Sequence, residues 1–319
     1  MIRRRFIARS AALAGACIAP VSVRAQSAAS VVRIGATATD DCAPIVYGQQ
    51  SGLFARAGLD VQFDRLSSGS AAAAAVLSGA YDIGKASVPA VFDAHEKGLP
   101  FTLIGAAVIW DAKISPSANF LVTVDSPLRT GKDANGGTFG VASLSDIGRL
   151  AMTAWVERNG GDPSSLKFVE IPTPAGPAAV EQHRVTSAES SEPSLSNALV
   201  TGRFRVIDAF SAVAPTFLSS AWFTTRERSS QRSDVFRAFA RALAQSAAYT
   251  NVHHEETAPL IAAFTGISID VIRHMNRVLA GTTVDPKMLQ PVIDAAAKYG
   301  TIKRRFAASE LIDITILSS

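Results

Sequence analysis

The strongest constraint on this chain is the order of its hydrophobic patterns: short strand-like runs alternate with helix-like runs through the first hundred residues. Residues 31–35 read as a strand, and Pro44 then suits the first turn of a helix that leads toward Gly52. Residues 59–63 alternate apolar and polar side chains and read as the next strand. Ser70 caps the Ala-rich run 71–77, and Gly79 closes it. A short buried strand at 81–84, a helix from Pro89 to Gly98 and an apolar strand at 101–108 follow. Strands and helices in this order predict an α/β fold of parallel βαβ units.

In such sheets ligands bind at the carboxyl ends of the strands, in loops that lead into helices. Those loops are 37–41, 67–70 and 86–88, which makes Thr39, Asp40, Asp41, Gly69, Ser70 and Ser87 candidate contacts. Small polar residues are also ordinary turn formers, so composition alone does not separate the two uses.

The middle third repeats the pattern, with strands at 120–124, 138–142 and 168–171 and a short helix at 178–183. A longer helix starts at Ser143-Leu144-Ser145-Asp146, carries Ile147, Leu150, Ala151, Ala154 and Trp155 on one face, and stops at Asn159-Gly160-Gly161. Ser143 and Asp146 stand at capping-box spacing. Free N–H groups at that helix end suit a negative ligand group; an ordinary cap is the competing reading. Asp146 would compete for the same donors, and Asp40 and Asp41 suit an amine or a hydroxyl instead. The charge of the ligand therefore stays open. The last third reads as a strand at 218–225 and helices at 233–250, 255–264, 269–278 and 286–298.

The first 25 residues have the pattern of an export signal. Arg3, Arg4, Arg5 and Arg9 precede an apolar stretch, and Val23-Arg24-Ala25 offers a cleavage site. Arg3-Arg4-Arg5-Phe6-Ile7 is similar to a twin-arginine signal, with an ordinary secretory signal as the alternative. Of 31 basic and 27 acidic residues, this segment holds five arginines and no acid. The mature chain is thus close to neutral, which argues against nucleic acid as a partner. Cys17 lies inside the segment, in a poor lipoprotein context, so the mature chain keeps only Cys42 and no intrachain disulfide.

Catalytic and metal signatures are weak. No Gly-x-Ser-x-Gly elbow, complete phosphate-binding Gly-x-x-x-x-Gly-Lys-Ser/Thr loop or His-Glu-x-x-His pair occurs. His253-His254-Glu255-Glu256 looks metal-like, but neighbours on a helix point about 100° apart and cannot converge on one ion. A solvated helix junction is the better expectation, and no cofactor or metal is expected. Trp110 and Trp222 lie beside strands, where core packing is the commoner fate.

Gly52-Leu53-Phe54-Ala55-Arg56-Ala57-Gly58-Leu59-Asp60-Val61 resembles a segment of the solute-binding proteins of nitrate/sulfonate/taurine-type ABC transporters, a group that includes thiamine-precursor binding proteins. Ser78-Gly79-Ala80-Tyr81-Asp82-Ile83-Gly84 with Ala86-Ser87, residues 151–172, Ser220-Ala221-Trp222-Phe223 and residues 290–300 are also similar, in the family's order. Glu192-Pro193 matches a family pair, while residues 185–191 are unusually polar for a strand that ends at the cleft.

The resemblance implies a type II periplasmic binding protein: two α/β lobes joined by two crossing strands, with the ligand between them. Residues 120–124 and 218–225 are the candidate crossings. The expected division is 1–25 signal, 26–118 first part of lobe 1, 119–220 lobe 2, and 221–319 return to lobe 1. By position Thr39, Asp40, Asp41, Gly69, Ser70, Ser87, Ser143, Ser145, Asp146 and Glu192 would face the cleft. The implied role is a monomeric periplasmic protein that captures a sulfonate-, taurine- or nitrate-like or heterocyclic solute for an inner-membrane permease, without catalysis. Two other uses of the fold compete: an enzyme of the thiamine-pyrimidine-synthesis type, which needs a reactive His and more cysteines, and a sensor module for a membrane receptor.

Overall fold

The structure is a computed structural model that describes residues 29–317. The expected export signal lies outside the described residues. Two five-stranded sheets organise the chain. The first contains β1 (Ser30–Ala36), β2 (Leu59–Arg65), β3 (Ile83–Ser87), β4 (Phe101–Asp111) and β10 (Thr216–Thr225), in the order β2-β1-β3-β10-β4. The second contains β5 (Ala118–Thr123), β6 (Thr138–Val141), β7 (Lys167–Glu170), β8 (Ser187–Ser191) and β9 (Phe204–Ile207), in the order β7-β6-β8-β5-β9.

The two orders are equivalent. β1 lies parallel to β2 and β3, and β6 lies parallel to β7 and β8, as the βαβ pattern requires. The fourth place in each sheet goes to an antiparallel strand: β10 in the first, β5 in the second. Each of these enters directly after the chain has passed between sheets. The strands expected to cross, 120–124 and 218–225, are thus the antiparallel insertions. The passages themselves are residues 112–117 and 208–215, and β10 spans the expected 220/221 boundary. Uniformly parallel pairing fails at these two strands because a chain arriving from the other sheet runs against its new neighbours.

Burial accounts for the apolar strand patterns. β4 is apolar along its length and covered on both faces, with Phe101, Leu103, Ile104 and Trp110 at 1% exposure or less. Trp110 stacks on Phe217, centroids 5.3 Å apart, and its Nε1–H donates to the Ala118 carbonyl at 3.0 Å. It therefore ties the end of β4 to the start of β5 across the first passage. Trp222 is also fully buried, in the core beneath the helix Ser233–Thr250. Both tryptophans are core residues, as expected. That helix buries Phe236, Phe239, Leu243 and Ala247 along one face.

Two helix boundaries differ from expectation. Ser68, not Ser70, caps the helix Gly69–Ser78: its hydroxyl accepts from Ala71 N–H at 3.2 Å. The helix expected over 269–278 stops at His274, because Met275 turns extended and Val278 N–H is taken by the Asp40 carboxylate at 2.8 Å. The His-His-Glu-Glu run opens a helix at His254, with His254, Glu255 and Glu256 exposed. Among the described residues no group of three or more His, Cys, Asp or Glu is placed to hold a metal ion.

Candidate functional site

A cavity of about 370 Å³ opens between the two sheets, at the ends of strands β1, β3, β6 and β8. Its volume lies in the range of small-molecule sites. The first sheet contributes Thr39, Asp41, Gly69, Ser70 and Ser87 from the three loops expected to carry contacts. The second contributes Ser143, Asp146 and Glu192. Phe210, Val108, Ile147 and Val278 supply apolar wall.

Two expected residues do not reach the cavity. Asp40 is 1% exposed and turns the other way, where its carboxylate accepts from Arg277 Nε at 3.0 and 3.1 Å. The Ser145 hydroxyl donates to Asp93 Oδ2 at 3.2 Å, a contact from the second lobe to the helix Val88–Glu96 of the first. Asp40 is a buried anchor, and Ser145 bridges the lobes.

Asp41 does face the cavity, but it is occupied. Lys85, on β3 and only 4% exposed, forms an ion pair with Asp41 Oδ1. Lys85 Nζ also donates to Thr39 Oγ1 at 2.9 Å, and Thr39 Oγ1 donates to Asp41 Oδ1 at 2.5 Å. Burial works against the Lys85 charge, but Asp41 more than offsets it, so its pKa is raised. Cys42 lies behind this pair, 3.6 Å from Lys85 Nζ. Burial pushes its thiol up to about 12, so it is not a nucleophile at neutral pH. Sequence reasoning missed Lys85. Its signal was a lysine inside an otherwise small and apolar strand, opposite an acid-rich loop.

Gly69 is required by packing. A Cβ there would sit 2.9 Å from the Ala86 Cβ and 3.1 Å from its Cα, so the helix start could not approach β3 with a larger residue. This brings the N-terminal turn with Ser70 to the cavity wall.

On the second lobe, Asp146 itself caps the helix Ile147–Arg158, its Oδ1 accepting from Gly148 N–H at 3.3 Å. The expected Ser143–Asp146 capping box does not form: the Ser143 hydroxyl accepts from Ser145 N–H at 3.2 Å instead. The carboxylate therefore already occupies the anion-favouring end of the helix. Burial pushes Asp146 up to about 6, against the pull of the Gly148 and Ile147 N–H groups.

Glu189, on β8, was also missed as a site residue. The polar run flagged as a departure from the family pattern is this strand, and Ser187, Ala188, Glu189 and Ser190 are all buried. Ser187 Oγ donates to the Leu121 carbonyl at 2.8 Å, which satisfies one hydroxyl inside the sheet. Glu189 lines the cavity beside Asp146 and is 9% exposed. Its Oε2 accepts from Ala142 N–H at 3.2 Å. Burial, and then the Asp146 charge, push its pKa well above the usual carboxylate range. Glu192, 1% exposed, accepts from Ser196 N–H at 3.0 Å and Ser196 Oγ at 2.8 Å. Burial outweighs those bonds and pushes it up to about 7.

Residues 39–257 match the family described as NMT1/THI5 like. The chain belongs to that family. The match takes in the whole second sheet and every cavity residue named above except Val278. No curated protein matches by sequence. Solved structures place this NMT1/THI5-like chain in the periplasmic-binding-protein fold. The ligand-binding component of an ABC-type import system from Staphylococcus aureus superposes with a TM-score of 0.79 at 14% identity, covering 91% of this chain and 98% of that one. The periplasmic aliphatic sulphonate-binding protein SsuA of Escherichia coli gives 0.71 at 16%, over 91% and 99%. The periplasmic nitrate-binding protein NrtA of Synechocystis PCC 6803 gives 0.73 at 14%, over 88% and 84%. Identities this low establish the fold, a type II two-lobed architecture, as the sequence led us to expect.

Proposed function

We propose that this chain is the solute-binding component of an ABC-type importer, exported to the periplasm, where it captures a small polar organic molecule and delivers it to a membrane permease. The observation that carries this reading is the cavity. It lies between two lobes joined by two short passages, and both lobes furnish polar groups to it. A ligand that touches both walls favours the closed arrangement, and closure is the signal a permease can read.

The wall chemistry favours binding over turnover. It offers hydroxyls, carboxyls and a lysine already neutralised by Asp41, and the nearest thiol is held protonated. Family membership and the import-system relatives support the same reading. The export step rests on the arginine-rich, apolar pattern of residues 1–25.

The test is mass spectrometry of small molecules released from the purified mature protein, followed by calorimetric titration of each. A specific solute with 1:1 stoichiometry, whose uptake is lost when the gene is deleted, is the expected result. Conversion of the bound molecule into a product would refute it in favour of an enzyme.

A further inference from the structure

The second-lobe wall of the cavity carries an imbalance of charge. Asp146, Glu189 and Glu192 all face it. The buried cations nearby are already paired, Lys85 with Asp41 and Arg277 with Asp40. Arg65, the remaining cation on the wall, is exposed and stacks on Phe264 at 4.8 Å.

Glu189 is the sharpest part of the imbalance. It is nine-tenths buried, and its single hydrogen bond among the described residues runs from Ala142 N–H to Oε2. Oε1 takes no hydrogen bond from the described residues, and the side chain lines the cavity beside a second carboxyl, that of Asp146. A buried carboxylate without a counter-charge is costly, and two side by side are more so. Donors with positive charge are what this pair lacks. A metal ion does not fit, because no group of three or more ligating side chains is assembled among the described residues.

We infer that the solute is a small organic cation, an ammonium or amidinium on an apolar body, whose N–H groups are bound between Glu189 and Asp146 while the body packs on Phe210, Val108 and Ile147. The inference rests on the solute-binding reading and narrows it. It also predicts how the empty and filled states differ: the bound cation replaces the proton that Glu189 holds in the empty site.

The test uses five probes of similar size on the mature protein: benzylammonium, benzamidinium, benzoate, benzenesulfonate and benzyl alcohol. Affinities are measured by calorimetry and saturation-transfer NMR. We expect the two cations to bind at least tenfold more tightly than either anion. Glu189→Gln should reduce cation affinity at least tenfold and change the affinity of benzyl alcohol much less. Asp146→Asn, which retains the helix cap, provides the second variant should Glu189→Gln fold poorly. Anions that bind as tightly as the cations, or cation binding indifferent to both substitutions, overturn the cation assignment and leave the solute-binding reading standing. No binding by any probe, together with no small molecule released from the purified protein, overturns both.

Discussion

Asp40 and Arg277, 237 positions apart, meet in a buried ion pair, with Arg277 Nε 3.0 Å from Asp40 Oδ1 and 3.1 Å from Oδ2. Asp40 also takes Val278 N–H at 2.8 Å, and Arg277 reaches Thr257 Oγ1 at 3.2 Å. The pair thus pins the segment after the 269–274 helix onto the loop that leads into the first cleft helix. Removing one partner of such a pair strands the other. We expect Arg277→Met to lower unfolding free energy by about 3–5 kcal/mol. Adding Asp40→Asn should restore part of that loss. Urea denaturation of the single and double variants checks both. Because Asp40 faces away from the cavity, ligand affinity of the molecules that remain folded should change less than threefold.

Lys85 and Asp41 form the corresponding pair at the cavity itself. Lys85→Met leaves Asp41 buried without its cation and should destabilise by a similar amount, about 3–5 kcal/mol. It should also weaken ligand binding, since Thr39 loses the donor that fixes its hydroxyl. A double-mutant cycle with Asp41→Asn measures the coupling. A coupling below about 0.5 kcal/mol would mean the pair is not the element that shapes this loop.

The α/β class, nearly every strand and the three first-lobe cleft loops were legible in sequence, because period-2 and period-3.6 patterns are local. What escaped depends on pairing across distance. Asp40 and Asp41 are adjacent and chemically alike. Only the positions of Arg277 and Lys85, far along the chain, decide that one is an anchor and the other lines the cavity. The capping box at Ser143 failed for a similar reason. Its spacing was right, but Asp146 took the cap and left Ser143 to Ser145. Glu189 was hidden because a carboxyl in the middle of a buried strand contradicts the strand pattern. That contradiction was the signal, and function is where such local rules are expected to break.

Gly148 gives a sharp test of where Glu189 points. Alanine normally stabilises a helix relative to glycine by up to about 1 kcal/mol. Here a Cβ would lie 2.2 Å from Glu189 Oε2, inside contact distance. Gly148→Ala should therefore fail to gain that stabilisation, because the Glu189 carboxyl must move to admit the new methyl group. It should also weaken ligand binding at least tenfold by driving the carboxyl from its place. Thermal melts and calorimetric titration of this single variant report both effects. A stabilised protein with unchanged affinity would place the Glu189 carboxyl elsewhere.

Glu192 makes stability depend on pH. Burial pushes its pKa up to about 7 from an ordinary value of 4.5. The folded state therefore holds this proton more tightly than the unfolded chain does. The resulting stabilisation is complete below the unfolded value and is lost as pH rises through about 7. Glu192→Gln mimics the protonated form, since its amide oxygen can accept from Ser196 N–H while its amino group donates to the Ser196 hydroxyl. The variant and wild type should be equally stable well below pH 4.5. By pH 8.5 the variant should be the more stable, by about 3 kcal/mol. Urea melts across that range measure the difference directly. A gap that is constant with pH would mean that Glu192 does not change its proton affinity on folding.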